Sequence, residues 1–251
     1  MEILVVVAII TVLAAIAFPI VGRIRSNSFR TEATSRMKAL AAAVTKYSEG
    51  QDGALPAEDA QGKDSWDASS SPASEKAWYN SLPHVMQRKS LGDLVKEGRS
   101  AAFYSNEYVA WLPGAPYPKK MDKPYFAIAI NSKLQRKDKE GKKGDVKMNH
   151  IAVPERTVLF FEHGMPGEPK SDPTVSHKDY DGACKGTGKG FATRYSNQGV
   201  LAFADGHVEL HFAKDLLTPT GDLQWSADGT TPVLWLPDPK EDPNGGKQAS
   251  Q

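Results

Sequence analysis

The chain is predicted to be an α+β protein, one long N-terminal helix packed on an antiparallel β-sheet head, and three observations predict it. The first is an uncharged apolar run over residues 3–22 with a single hydroxyl, Thr11, followed by apolar residues at helical spacing to Ser48. The second is a stretch at 50–76 rich in Gly, Ser, Ala, Asp and Pro, which reads as loop and follows the helix. The third is a series of short segments rich in β-branched and aromatic residues, each bounded by Gly, Pro, Asn or Asp.

Twenty apolar residues at about 1.5 Å each reach roughly 30 Å, the depth of a bilayer's hydrocarbon layer. Beyond Gly22 the pattern turns amphipathic. Ile24, Ala33, Met37, Leu40, Ala41, Val44 and Tyr47 recur mostly at three- and four-residue steps, with Arg23, Arg30, Glu32, Arg36, Lys38 and Lys46 on other faces. Helix is expected to about Ser48, stopped by Gly50 and Gly53. Pro19 removes one backbone donor and should kink or locally melt the helix, with Gly22 adding freedom beside it. An alternative is an anchor and a separate core helix, broken over 19–27. The chain therefore divides into 1–22, a membrane-spanning or filament-core half-helix; 23–50, its amphipathic half; and 51–251, a mainly β head with loops.

In the head, residues 78–95 are mildly helical, with Trp78, Leu82 and Val85 as core or as a lid on it. Strands are expected at 102–112, 125–131, 151–153, 157–161, 200–204, 208–212 and 233–236. The clearest unit is 200–204, then Asp205-Gly206, then 207–212: Asp-Gly supplies the positive φ of a tight hairpin. Alternation puts Leu201 and Phe203 on one face of the first strand, and Val208, Leu210 and Phe212 together on one face of the second.

Composition narrows the function classes. Thirty-one basic and 30 acidic residues leave a net charge of +1, which gives no reason to expect a nucleic-acid partner. The one cysteine, Cys184, excludes an intrachain disulfide framework and reads as a free thiol.

The apolar run admits three readings. A secretory signal begins with Lys or Arg, whereas Met1 is followed directly by Glu2, although Ala15-Ile16-Ala17 would serve as a cleavage site. A plain anchor keeps its basic residues on the cytoplasmic side, yet Arg23, Arg25 and Arg30 all follow the run, which would turn the head inward. The third reading starts from Glu2, a carboxylate at the edge of an apolar segment, which either rests at the water interface or has a partner. Glu2 followed by Ile3-Leu4-Val5-Val6-Val7-Ala8-Ile9-Ile10, then Leu13-Ala14-Ala15-Ile16-Ala17 and Phe18-Pro19, resembles the N-terminal signature of type IV pilins and type II secretion pseudopilins, the prepilin-type methylation motif. That family places a glutamate just after Phe-Thr-Leu and one variable apolar residue, with a helix-kinking proline seventeen places on, the separation of Glu2 and Pro19. The family's basic leader, its glycine cleavage site and the Phe-Thr-Leu do not precede Glu2. Met1 then reads as an internal methionine in the variable position, and a basic leader upstream would remove the charge conflict. Edman sequencing of the native protein reads this directly.

The resemblance implies a pilin-like fold and a structural role without enzymatic activity. It implies that Glu2 neutralises the N-terminal amine of a neighbouring subunit in a dry filament core, with Pro19 and Gly22 as the flexible point of the helix. It also implies a homo-polymer through the N-terminal helices, insertion in the inner membrane with an extracytoplasmic head before assembly into a periplasmic or extracellular filament, and a prepilin peptidase and assembly machinery as partners. Tyr47-Ser48-Glu49-Gly50 to Leu55-Pro56 is similar to the exit from the pseudopilin helix. A second resemblance is to planctomycete- and verrucomicrobial-type pseudopilin-like proteins, which carry a histidine, nine residues and Asp-Gly. Here Tyr195 stands where the histidine belongs, before Asp205-Gly206; this weakens any role needing an imidazole but not the hairpin. Residues 129–131 and 151–160 are similar to that group too.

Enzymatic chemistry has few footholds. Glu162, His163, His177, Asp179, Asp181, Asp205, His207 and His211 supply carboxylates and imidazoles, but there is no His-Glu-x-x-His or Gly-x-Ser-x-Gly. His207 and His211, an even number apart, share a strand face and could converge on a metal; ordinary hairpin polars are the favoured reading. No cofactor is expected. A structural calcium on loop carboxylates around Asp179 and Asp181 is the one exception the resemblance admits, since some pseudopilins bind calcium, and no full set of oxygen ligands is legible. Residues 186–190, Gly-Thr-Gly-Lys-Gly, depart from the phosphate-loop pattern, because Ala183 stands at its first glycine and Gly190 follows Lys189, so a solvated loop is expected. Residues 133–147 carry seven basic and three acidic side chains, which reads as a surface loop or hairpin tip, or as contact with an anionic partner. The competing function is an exported or membrane-anchored extracytoplasmic enzyme or binding domain that uses 1–22 only for export or anchoring.

Overall fold

The computed structural model describes residues 2–62, 65–98, 108–135 and 147–245; within the first helix the side chains of 2–5, 8–9, 12–21 and 23 lie outside that description. The first helix, α1, is Glu2–Glu49, 48 residues and about 70 Å at 1.5 Å per residue. Its C-terminal half buries Ala33, Met37, Leu40, Ala41 and Val44, the stripe that three- and four-residue spacing dictates. Its N-terminal part stands clear of the head: Val6, Val7, Ile10 and Ile24 are each more than half exposed. Helical backbone continues through Pro19 and Gly22, so the expected melting, and the alternative of two separate helices, are corrected. Proline deletes one hydrogen bond, and the bonds of the turns on either side hold the rest of the ladder. Among the described residues no helix is long and apolar enough to cross a membrane; most side chains of the 3–22 run lie outside those residues. After Glu49 the N–H of Gly53 bonds the carbonyl of Ser48 at 2.8 Å and closes the helix end.

The head holds a five-stranded sheet in the order β3-β1-β2-β4-β5, with β1 Ile128–Asn131, β2 Val158–Glu162, β3 Lys185–Gly186, β4 Gln198–Phe203 and β5 Val208–Phe212. Pairing is antiparallel except between β1 and β3, which run parallel, so the sheet is mixed rather than antiparallel throughout. One face, with Ile128, Ile130, Phe160, Val200 and Ala202, packs on the α1 stripe and on Trp78 and Leu82. The other, with Ala129, Phe161, Leu201 and Phe203, is covered by Phe191, Leu216, Leu223 and Trp235 from the C-terminal third of the chain. Trp78 joins the layers: its ring lies 5.2 Å from Phe160, and its indole N–H donates to the Cys184 carbonyl at 2.8 Å. Cys184 is free and buried, and burial pushes its thiol up, away from the reactive thiolate.

β5 matches its expected range, and its hairpin turns on Asp205-Gly206 with Gly206 at φ +94°. Residues 151–153 and 233–236 are not strands; Pro154, Pro232 and Pro237 cut these runs short, leaving an isolated bridge between Thr157 and Leu234. Of the expected strand at 102–112, residues 102–107 lie outside the described residues and 108–112 are not extended in a sheet. The strand β3 is not among those expected; two residues carry no readable alternation. Among its described residues the head carries long loops around the five-stranded sheet. Most of 133–147 also lies outside the described residues.

The helical stretch at 78–95 resolves into α3, Trp78–Val85, and α4, Leu91–Lys96, with the shorter α2, Trp66–Ser69, before them. Ser90 and Asp93 form a reciprocal cap on α4: the Ser90 hydroxyl accepts from the Asp93 N–H at 3.1 Å, and Asp93 Oδ2 accepts from the Ser90 N–H at 2.9 Å. Partial burial pushes the Asp93 carboxyl up, but the Ser90 hydroxyl and N–H and His84 outweigh it and hold it down at about 2. A depressed carboxylate contributes stability above its unfolded value, near 4, and loses it as pH falls towards 2. Ser90→Ala is expected to cost about 1 kcal/mol in urea unfolding at neutral pH, and less at pH 2. An equal loss at both pH values would refute the bond from the Ser90 hydroxyl to the Asp93 carboxylate as part of its origin.

Candidate functional site

Where α1 leaves the head, a crevice of about 200 Å³ opens between the helix and the loops of the head, lined by Gly22, Arg25, Ser26, Phe29, Gly114, Arg194 and Tyr195. Gly22 borders it with open space where a side chain would project. Glu2 and Pro19 lie further along the helix backbone, Glu2 about 30 Å from Gly22 by helical rise. The structure therefore brings Gly22 to the edge of the head beside Tyr195, while the side chains of Glu2 and Pro19 lie outside the described residues.

Beneath the crevice lies a buried charge network. Register pairs Ile128 with Glu162 and alternates Glu162 with Phe161, which turns the carboxylate to the α1 side of the sheet. Its Oε1 accepts from the Tyr195 hydroxyl at 3.0 Å and its Oε2 from the Val200 N–H at 2.9 Å. Arg194 donates to Glu162 at 3.2 Å, to both oxygens of Glu168 at 2.8 and 2.7 Å, and to the His163 carbonyl at 2.7 Å. All three charged side chains are buried, Glu162 completely. Burial works against the guanidinium charge, but Glu168 and Glu162 outweigh it and hold Arg194 protonated. One cation cannot balance two carboxylates, and burial pushes Glu162 up despite Arg194, Val200 and Tyr195. Burial and Glu162 likewise push the Tyr195 phenol up, so it stays a donor. Tyr195, where the resembling motif has a histidine, thus holds the end of β2 to the start of β4.

The other polar candidates do not converge. His163 faces away from Glu162, with Nε2 on Asp181 Oδ1 at 2.7 Å, and Nδ1 is buried against the 186–190 loop without a hydrogen-bond partner. A side chain at Gly190 would stand 2.6 Å from this imidazole, and one at Gly188, where φ is +90°, 2.5 Å from Trp235. These glycines let the backbone lie against rings, so the expectation of a solvated loop is corrected: it is a packed one. His177 is buried with Nδ1 3.1 Å from the Tyr180 hydroxyl, and burial pushes it down towards the neutral form. Asp181 also accepts from the Ala183 N–H at 3.0 Å, while Asp179 takes φ +59° close by in the chain. Asp205, His207 and His211 lie apart, on the β4–β5 hairpin. Among the described residues no group of three His, Cys, Asp or Glu side chains is gathered as an assembled metal site.

Sequence reasoning misses the roles of Arg194 and Glu168. The signal that could have found them is Glu162 at the end of Val-Leu-Phe-Phe, a carboxylate that alternation places on a buried face and that must therefore have a partner. No family model matches the chain, and no curated protein or solved structure matches it.

Proposed function

We propose that the chain is a structural subunit of a type IV pilus-like or type II secretion pseudopilus-like filament, held in the inner membrane by the N-terminal half of α1 before assembly. The observation that carries this reading is the division of α1 among its described side chains: the 48-residue helix holds fully buried residues from Ala33 onward, and Val6, Val7, Ile10 and Ile24 are exposed. A head of this size has no packing use for a helix of about 70 Å. Apolar side chains left on such a helix need a non-aqueous surrounding, first lipid and then the helices of other copies. Copies joined head-to-tail in this way extend as a helical fibre rather than closing. Glu2 would then meet the N-terminal amine of a neighbour, an ion pair that matters most where water is excluded.

Glu2→Ala, introduced into the native gene, is expected to abolish filaments sheared from the cell surface while the subunit still reaches the membrane in normal amount. Filaments assembled normally from Glu2→Ala subunits would overturn the reading and favour an exported or anchored domain.

A further inference from the structure

Where the loop after α1 passes β3, a lysine meets two carboxylates. The loop is pinned to the start of α3: the Ala57 N–H donates to the Lys76 carbonyl at 2.9 Å, and the Trp78 N–H to the Ala57 carbonyl at 2.8 Å. Glu58 and Asp59 are thereby set against β3, an end strand of the sheet paired with β1. Lys185 Nζ donates to Glu58 Oε1 at 2.7 Å and also contacts Asp59 Oδ2. Both acidic side chains are 5% exposed and that of the lysine 31%, so the amine reaches inward to carboxylates that water barely touches. Buried side chains lie on the inner side: Cys184 Sγ is 3.4 Å from the Glu58 carbonyl oxygen, and Trp78 donates to the Cys184 carbonyl.

Three charges share this small volume, and condensing the amine with one carboxylate would replace a buried ion pair by a neutral amide. The two carboxylates are not equivalent. Asp59 Oδ1 accepts from the Gly62 N–H at 2.9 Å, a backbone donor placed where charge gathers on oxygen during attack at Cγ. Glu58, bonded to Nζ itself, stands where a general base must stand. Burial works against the Lys185 charge, but Asp59 and Glu58 outweigh it and hold the amine protonated. Attack therefore waits for a proton to pass to Glu58, which makes the step slow. It is needed only once per chain, and partners held in contact react as if at an effective concentration of about 10⁵ M.

We propose that Lys185 and Asp59 join through an intramolecular isopeptide bond, with Glu58 carrying the protons. Glu58 takes one proton from Nζ, and the freed lone pair attacks Asp59 Cγ. Glu58 passes that proton to Oδ2, and a second proton from Nζ follows by the same route as the Cγ–Oδ2 bond breaks. Ammonium and carboxylate thus become amide and one water, with no further reactant. Glu58 ends as the carboxylate it was, accepting from the new amide N–H. The bond ties the loop after α1 to the edge of the sheet, and it does not rest on the filament reading.

The test is the mass of the full-length chain, purified in detergent and then denatured, with its tryptic peptides sequenced by tandem mass spectrometry. The parent is expected to fall short of its sequence mass by one water and to yield a branched peptide joining residues 59 and 185. Lys185→Arg, which keeps the charge but has no primary amine, and Asp59→Ala should each carry their full mass. Glu58→Gln should form the bond about a hundredfold more slowly after refolding; formation at the parent's rate would overturn the role of Glu58. A parent of full mass, with Lys185 and Asp59 in separate linear peptides, would overturn the proposal and leave an ion pair. So would a missing water that persists in Lys185→Arg or maps to a succinimide at an Asp-Gly step such as Asp205-Gly206. The parent's peptides decide between these outcomes whether or not the variants fold.

Discussion

Arg194→Ala is expected to destabilise the head by about 3–5 kcal/mol at neutral pH, the usual loss when one partner of a buried ion pair is removed. The guanidinium is the one cation bonded to Glu162 and Glu168 in the described network, and both carboxylates are buried beside it. Without it two anions face each other in a site from which water is excluded, and the His163 carbonyl loses its donor. The sign with pH follows from Glu162, which burial already pushes up. A carboxyl raised in the folded state favours the native form below its unfolded value, and that contribution disappears as pH rises through the folded value. In Arg194→Ala the rise is larger, so the loss should be greatest at neutral and alkaline pH and shrink near pH 4, where glutamates begin to be neutral in the unfolded chain as well. Urea unfolding of the variant and the parent at the two pH values measures it. A loss under about 1 kcal/mol at pH 7, or one that grows on acidification, would contradict the network.

Gly199→Ala is the second large effect expected, about 3 kcal/mol or more, at the upper end for overpacking. Gly199 lies in β4 opposite His211, and a Cβ there would stand 2.0 Å from the Ala192 carbonyl oxygen and 2.8 Å from the Phe191 ring. A ring can turn aside, but a backbone carbonyl cannot retreat without moving its chain. The Ala192 N–H is bonded to the Glu162 carbonyl at 2.9 Å, and Phe191 belongs to the cluster covering the second face of the sheet. The strand would have to shift, and with it the Val200 N–H that Glu162 accepts. Gly206→Ala is the informative comparison: it faces open space and is penalised for its φ of +94° alone, about 1–2 kcal/mol by the usual left-handed penalty. Thermal unfolding that found Gly199→Ala the milder of the two would refute the close approach.

Much of the fold is legible in local pattern alone. The α1 stripe, the stop after Ser48 and the hairpin on Asp205-Gly206 each depend on neighbours within a few residues, through helical period, chain-breaking glycines and a turn that needs positive φ. The same local logic overestimates the effect of Pro19 and places strands at 151–153 and 233–236, where bordering prolines leave too little chain to pair.

Glu162 marks the boundary of such reasoning. Its place at the end of a continuous apolar strand establishes that a carboxylate is buried and needs a partner. Which partner depends on loop closure that brings Arg194 and Glu168 from 32 and 6 residues away, and no local period carries that information. The glycines at 188, 190 and 199 are the same case: they look like flexibility along the chain and are close packing in three dimensions. Periodicity and turn chemistry are short-range and survive in one dimension, so helix, hairpin and apolar face belong to the chain itself. Pairings across the sheet, and the charges enclosed between its layers, exist only once distant segments are brought into contact.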